Sequence, residues 1–197
     1  MLLTQEATRA DAGKAKEHLR FFGLALIVLL LSAYVLATRS EGAGGDETAQ
    51  FMVPGSIKAE HEELHAELAA AAKSGGRVAE AAREVEGLLR PHFEAEEEYA
   101  LPPLGLLRPL SKGGARPWMA DALPMTDKLK ANLPRMLDEH RAVGAALERL
   151  RRAASEEKKP EAARFAEKLL LHARYEEEVL YPAAILVGEH LRLRLKK

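Results

Sequence analysis

The sequence contains no cysteine and few aromatic residues. None of its 197 residues is Cys, and Phe, Trp and Tyr together make up 5%. The absence of cysteine excludes disulfide bonds, thiolate catalysis, and zinc or iron–sulfur sites built on cysteine. Any metal ion bound by this chain must therefore be held by His, Asp and Glu.

The chain also lacks a large excess of charge of either sign. Its 29 Lys and Arg residues nearly balance its 30 Asp and Glu residues, for a formal net charge of -1. Basic residues do not collect on one face with interleaved aromatic residues, so we expect no nucleic-acid partner. The length suits one domain of ordinary size with an appendage.

The longest apolar run follows a polar segment over residues 1–20. Residues 21–37, FFGLALIVLLLSAYVLA, contain no charged residue. As a helix they would rise about 25 Å, near the lower limit for crossing a bilayer. We therefore predict a single transmembrane helix over residues 21–37. Basic residues outnumber acidic ones before it, which favours a cytoplasmic N-terminus and an extracytoplasmic domain.

Two alternatives to this membrane anchor stay open at the level of sequence. One is a cleaved signal peptide, because Val35 and Ala37 provide small residues at a plausible cleavage site. The other is a buried core helix, against which the uninterrupted apolar run argues. Residues 38–55 are small, polar and Gly-rich, and they predict a flexible linker to the domain.

Four helices are predicted over residues 56–190, because apolar residues recur there at steps of three and four. Ser56 is the expected N-cap of the first helix, and Pro160 is expected to open the fourth. Pro134 should kink the third helix or mark its start, and Pro182 should stop or bend the fourth. Residues 191–197 are predicted as a basic tail, although the stretch from Val187 onward is also compatible with a last helical turn.

The pattern H-x-x-x-E-E-E occurs twice, beginning at His92 and again at His172. His61 precedes the first copy by 31 residues, and His140 precedes the second by 32. Each half therefore consists of a helix with one histidine, a turn, and a helix with His-x-x-x-Glu. A duplicated helical hairpin explains this economically. Two such pseudo-symmetric hairpins, joined by a crossover, predict an all-α four-helix bundle.

On each predicted helix, polar residues occur among the apolar residues that should face the interior of the bundle. They occupy corresponding positions in the two halves of the sequence. A buried carboxylate costs several kcal/mol unless it is paired or ligated, and two of them also repel each other. A core histidine held by a hydrogen bond would explain any single case, but the two-fold set predicts a shared metal site. Its six members are His61, His92, Glu96, His140, His172 and Glu176.

Six ligands exceed the need of one tetrahedral zinc and suit a dinuclear centre inside a bundle. Histidine and carboxylate without thiolate favour iron or manganese and still admit zinc.

Residues 56–190 resemble the hemerythrin-like, HHE cation-binding family. The resemblance rests on Glu60-His61, Glu139-His140 and the two His-x-x-x-Glu pairs. It implies a non-haem di-iron site with an oxo or hydroxo bridge and, in some members, reversible dioxygen binding. It also implies that Glu96 and Glu176 bridge the ions, with His61 and His92 on one ion and His140 and His172 on the other.

The oxygen-carrying members of that family have a fifth histidine, four residues after the histidine of the third helix. Here that position is Gly144, whereas the first helix carries both His61 and His65. We hypothesise that His65 ligates the His61/His92 ion. The His140/His172 ion would then keep the open position for a small ligand. The alternative for His65 is a solvent-exposed histidine or one that hydrogen-bonds a ligand.

These features predict a membrane-tethered protein that binds two irons and binds or senses dioxygen or a related small oxidant. Binding is favoured over turnover because the sequence shows no substrate pocket, flavin motif or electron-transfer partner. The alternatives are a di-iron oxidoreductase acting on peroxide, oxygen or nitric oxide, an iron storage protein, and a helical module with a structural metal. Since the sequence shows no signalling output segment, a sensor would act through an unidentified partner protein.

Overall fold

The computed structural model describes residues 52–196, and all regular structure within that range is helical. The α-helices are α1 (Gly55–Lys73), α2 (Gly76–Ala95), α3 (Leu107–Gly113), α4 (Leu123–Glu156), α5 (Pro160–Tyr175) and α6 (Tyr181–Leu195). π-helical turns follow α2 at Glu96–Ala100 and α5 at Glu176–Leu180, and short 3-10 helices cover Pro102–Leu106 and Pro117–Ala122. For this part of the chain the prediction of an all-α fold is confirmed.

The long helices form a helical bundle from two hairpins. α1 packs against α2 and α5, and α4 packs against the same two helices. The turns of the two hairpins contact each other: the Glu157 carboxylate accepts the N–H of Arg77 at 2.6 Å, and Lys159 Nζ donates to the Gly75 carbonyl at 2.8 Å. Gly75 has φ 76°, which favours glycine at the end of α1.

The fourth helix of the bundle continues past its proline. α5, the π-turn and α6 follow one another without a break from Pro160 to Leu195, with Pro182 in the first turn of α6. Proline has no N–H and its ring collides with a carbonyl four residues earlier, and the wider π-turn before it relieves that conflict. Residues 187–195 are therefore helical, in agreement with the last helical turn that the sequence left open as the alternative to a basic arm. The predicted tail over residues 191–197 continues α6 and keeps its basic residues Arg192 and Arg194.

One expected helix start is wrong, and of the two alternatives for Pro134, a kink or a helix start, the start is excluded. α1 begins at Gly55, where the Pro54 carbonyl accepts the N–H groups of Ile57 at 2.9 Å and Lys58 at 3.0 Å. Ser56 thus lies inside the first turn and caps nothing. α4 begins at Leu123 and contains Pro134. It continues there because residues on both sides of the proline are buried in the core. Pro160 does open α5, as predicted.

Two apolar clusters fill the bundle on either side of a polar level. On each long helix, one histidine lies between a residue of one cluster and a residue of the other. The flanking pairs are Ile57 and Leu64, Leu89 and Tyr99, Met136 and Val143, and Leu169 and Leu180. The four histidines therefore meet at one level inside the bundle.

Among residues 52–196, no helix is long and apolar enough to cross a bilayer. The predicted membrane helix over residues 21–37 lies outside the described residues, as do the segment over residues 1–20 and most of the linker.

Candidate metal centre

The six polar residues predicted as ligands lie together in the interior of the bundle. All six are buried, and the most exposed of them is His140 at 6%. They form two neighbouring groups in which the donor atoms lie within 4.8 Å of one another.

The first group contains His92, Glu96, His140 and Glu176. The Nε2 atoms of His92 and His140 are 2.8 Å apart. Glu96 Oε1 lies 3.5 Å from His92 Nε2, and Glu176 Oε2 lies 3.4 Å from His140 Nε2. This group thus combines donors from α2, α4 and the two π-turns.

The second group contains His61, His172 and Glu176. Glu176 Oε1 lies 2.9 Å from His172 Nε2 and 3.5 Å from His61 Nε2. Glu96 Oε2 lies 3.9 Å from His61 Nε2. Each of the two glutamates therefore directs one oxygen to the first group and the other oxygen to the second.

Unsatisfied polar atoms mark this cluster as a place for a cation. Among residues 52–196, the buried side-chain atoms without a hydrogen-bond partner are found only on His61, Glu96, His172 and Glu176. His172 Nε2 and Glu176 Oε1 are 2.9 Å apart and still form no hydrogen bond. Two donors about 2.1 Å from one ion and at right angles to each other lie about 3 Å apart. The donor set therefore fits bound metal.

The electrostatics of the cluster also favour positive charge. Burial acts to lower the pKa of His92, but Glu96 and Glu139 raise it to about 9. Burial acts to raise the pKa of Glu176, yet His140, His172 and His61 hold it well below its ordinary value. Burial and the neighbouring Glu176 carboxylate raise the pKa of Glu96. Two buried carboxylates side by side thus attract protons or a metal ion.

The family model of the hemerythrin HHE cation-binding domain matches residues 55–184. This range covers most of the chain and includes both groups of donors. The chain belongs to the hemerythrin HHE family. A search of curated proteins and a search of solved structures each gave no match.

The histidines of this HHE domain are grouped differently from the expectation. The family resemblance implied that His61 and His92 bind one ion and that His140 and His172 bind the other. The structure instead groups His92 with His140, and His61 with His172. Each group therefore joins imidazoles of two different hairpins, across the contacts of α2 with α4 and of α1 with α5. The expected and the observed pairings of the histidines are both compatible with the two-fold relation between the halves. The sequence repeat therefore could not show which histidines share a group.

Carboxylates outside the two groups orient the imidazoles of the HHE domain. His92 Nδ1 donates to Glu139 Oε2 at 2.9 Å, and His140 Nδ1 donates to Glu177 Oε1 at 2.8 Å. Each bond leaves the Nε2 lone pair of that ring pointing into the cluster.

The second group repeats this arrangement more loosely. Glu60 Oε1 lies 3.3 Å from His172 Nδ1, and Glu97 Oε1 lies 4.0 Å from His61 Nδ1. Glu97 and Glu177 are not among the ligands predicted from sequence, but they follow directly after the two buried glutamates Glu96 and Glu176.

Tyr181 is a site residue that sequence analysis missed. Its buried hydroxyl donates to Glu96 Oε1 and lies 3.4 Å from the Nε2 atoms of both His92 and His140. Burial and the charges of Glu96 and Glu176 raise the pKa of the phenol above its ordinary value. The phenol therefore keeps its proton in the absence of a cation.

His65 lies outside both groups of the HHE domain. Its side chain is exposed, and its ring packs edge-on against Phe93 with the ring centroids 4.7 Å apart. Phe93 also contacts His61, at 4.6 Å between centroids, and so occupies the space beside that imidazole. At position 144 a Cβ would contact Leu170 at 3.7 Å. The ligand role predicted for His65 from sequence is thus untested, and the exposure of its side chain favours the alternative of a solvent-exposed histidine.

Proposed function

We propose that this HHE domain binds two iron ions and that the pair binds dioxygen or a related small oxidant. The observation that carries the proposal is the sharing of two buried glutamates between two histidine pairs. One ion would be held by His92 and His140, and the other by His61 and His172. Glu96 and Glu176 would each give one oxygen to each ion, in agreement with their contacts on both sides.

The charge of the donor set supports binding of a small anionic or easily reduced ligand. Four neutral imidazoles and two carboxylates do not neutralise two divalent ions, so positive charge remains at the centre. When bound, the irons supply one-electron redox chemistry that no side chain of the cluster provides. The residues themselves exclude bulk water, because apolar clusters lie on both sides of the site.

Burial of the site favours a binding or sensing role over turnover of a large substrate. All six donors are buried in the interior of the bundle, so no part of a large substrate could contact them without movement of the helices. A di-iron oxidoreductase acting on peroxide or nitric oxide would meet the same restriction, so the two functions must be separated by experiment.

The test is metal analysis and spectroscopy of the full chain. The chain is loaded with ferrous iron without oxygen, and we expect about two irons per chain. Aeration should produce visible absorption that reverses when oxygen is removed. Continuous consumption of peroxide or nitric oxide would favour the oxidoreductase, and many irons per chain would favour storage. Zinc alone, or no metal, contradicts the proposal. His190→Ala is the matched control, because this histidine is in α6, outside both groups.

The proposal includes a membrane tether over residues 21–37, with the N-terminus in the cytoplasm and the domain outside. The uninterrupted apolar run and the basic residues before it support this arrangement. The full chain should stay with membranes through an alkaline wash, and protease added outside should digest the domain. A mature N-terminus directly after Ala37 would instead establish a signal peptide. A sensor of this kind would pass its signal to a partner protein.

A further inference from the structure

We propose that Tyr181 is a further metal ligand, on the ion held by His92 and His140, and that the small ligand binds at the other ion. This inference rests on the proposed di-iron function and specifies which side of the centre is open.

The π-turn explains how Tyr181 reaches the site. In an α-helix, a residue five positions after Glu176 lies about 140° around the helix axis from it. The π-turn over Glu176–Leu180 adds a residue to the turn, and the N–H of Tyr181 bonds to the carbonyl of Glu176. The two side chains therefore lie on the same side of the helix, and both point into the cluster.

The position of the phenol oxygen matches that of a ligand. It hydrogen-bonds Glu96 Oε1 and is 3.4 Å from two imidazole nitrogens. Donors about 2.1 Å from a common ion are separated by about 3.0 to 3.4 Å in octahedral or tetrahedral geometry. A hydroxyl that only oriented one metal ligand by a hydrogen bond would contact that ligand alone. Tyr181 contacts three donors of the group at once.

The corresponding position in the other half offers no donor. The first π-turn, Glu96–Ala100, is followed by Leu101, whose N–H bonds to the Glu96 carbonyl in the same way. Leu101 is fully buried in an apolar cluster. The His92/His140 ion would thus have two histidines, two carboxylate oxygens and a phenolate. The His61/His172 ion would lack the fifth protein donor and keep an open position.

The proton balance of this assignment is simple. Without metal the phenol keeps its proton and donates it to Glu96. A cation displaces the proton of a coordinated acid, as it does with thiols, and the proton leaves to solvent. The phenolate adds a third negative charge to the centre, on the side of one ion only. This charge favours the ferric state of that ion.

The experiment is resonance Raman spectroscopy of the iron-loaded, air-oxidised full chain. We expect ring vibrations of an iron-bound tyrosinate that shift when the protein is made with ring-deuterated tyrosine. Tyr181→Phe should lose these vibrations and keep about two irons per chain. Tyr99→Phe is the matched control, since Tyr99 is equally buried but its hydroxyl contacts Met136 Sδ at 3.7 Å and Arg135 at 3.1 Å.

Azide tests the second half of the inference. The wild-type centre should bind one azide, and Tyr181→Phe should bind two, because the position of the phenolate becomes free. If Tyr181→Phe does not fold, wild-type tyrosinate vibrations that persist in Tyr34→Phe, Tyr99→Phe and Tyr175→Phe still identify Tyr181, since the chain has 4 tyrosines.

The outcomes separate this inference from the proposed function. Two irons per chain without a tyrosinate signature, or a signature that survives in Tyr181→Phe, overturns the Tyr181 assignment and leaves the di-iron proposal intact. A wild-type chain that binds no iron overturns both.

Discussion

The Nε2 atoms of His92 and His140 lie 2.8 Å apart inside the bundle, with the Nδ1 atom of each ring bonded to a glutamate. Because Nδ1 carries the proton in each bond, both Nε2 lone pairs face the same small space. Two lone pairs at this distance repel each other unless a proton or a metal ion lies between them. The cluster is thus arranged for a cation, and its properties should change with whatever cation is present.

The pH dependence of the metal-free chain follows from this arrangement. Glu96 and Glu139 raise the pKa of His92 from 6.5 to about 9. The protonated ring therefore stabilises the folded chain fully below pH 6.5, and this contribution is lost as the pH rises to about 9. The loss is on the order of 3 kcal/mol, because each pKa unit corresponds to about 1.4 kcal/mol. Urea unfolding of the metal-free chain between pH 6.5 and about 9 measures this loss, and a free energy of unfolding that does not change with pH would show that His92 is not stabilised in its protonated form.

Iron affinity should change in the opposite direction over the same pH range. Metal ions bind the deprotonated ring, so protons compete with iron until His92 is neutral. Affinity is expected to rise up to about pH 9, where the raised pKa of His92 lies. Titration with ferrous iron under argon at several pH values tests this, and affinity that does not depend on pH would argue against His92 as a ligand.

The glutamate behind His92 should control metal affinity without contributing a ligand. Glu139→Gln removes the charge that holds the Nδ1 proton, and we expect metal affinity to fall about 10-fold to 100-fold. Glu148→Gln is the matched control on the same helix, since Glu148 pairs with Arg151 at the surface. Equal affinities for the two variants would show that the Glu139 contact has no effect on the site.

Replacement of His65, the exposed histidine of α1, is expected to leave iron binding unchanged. His65→Ala should keep both irons and the visible spectrum, because the His65 ring packs on Phe93 outside both groups. His61→Ala, one turn earlier on the same helix, should lose iron. Loss of iron in His65→Ala would instead support the ligand hypothesis drawn from sequence.

The contact between α4 and α6 supports the helix that carries Tyr181. A Cβ added at Gly188 would overlap the side chain of Thr126, whereas one added at Gly87 would meet nothing within 4 Å. We expect Gly188→Ala to destabilise the fold by about 1–3 kcal/mol. Gly87→Ala in α2 should stabilise it by about 0.5–1 kcal/mol. Thermal unfolding should show a lower melting temperature for Gly188→Ala and a higher one for Gly87→Ala. Equal changes in melting temperature would contradict the close contact of Gly188 with Thr126.

The sequence predicted the bundle and the six buried donors because both depend on local periodicity. Apolar steps of three and four place each histidine on an inner stripe, and the repeat sets the two halves at matching levels. The grouping of the histidines depends on which side chains meet inside the bundle, since each long helix has a neighbour in its own hairpin and one in the other. The repeat is compatible with both groupings, so this required the tertiary structure.

Tyr181 and the contact of Glu139 with His92 escaped the same reasoning for different physical reasons, although Glu139 itself belongs to the Glu139-His140 motif. Counted along an α-helix, Tyr181 lies away from the face of Glu176, and only the π-turn turns it inward. Glu139 follows Asp138 in a charged stretch typical of surface, but its partner His92 is on another helix, 47 residues away. The π-turn before Tyr181 and the long-range contact of Glu139 are both difficult to predict from the local sequence.

The dinuclear centre is tested most directly by the iron content of single-ligand variants measured beside the wild-type chain. We expect about two irons in the wild type and in His190→Ala, and about one in His140→Ala and in His172→Ala, because His140 and His172 belong to different groups. Glu176→Ala should bind the least iron, since its oxygens contact both groups. One iron in the wild type, or unchanged content in all three ligand variants, would contradict a dinuclear centre at this site.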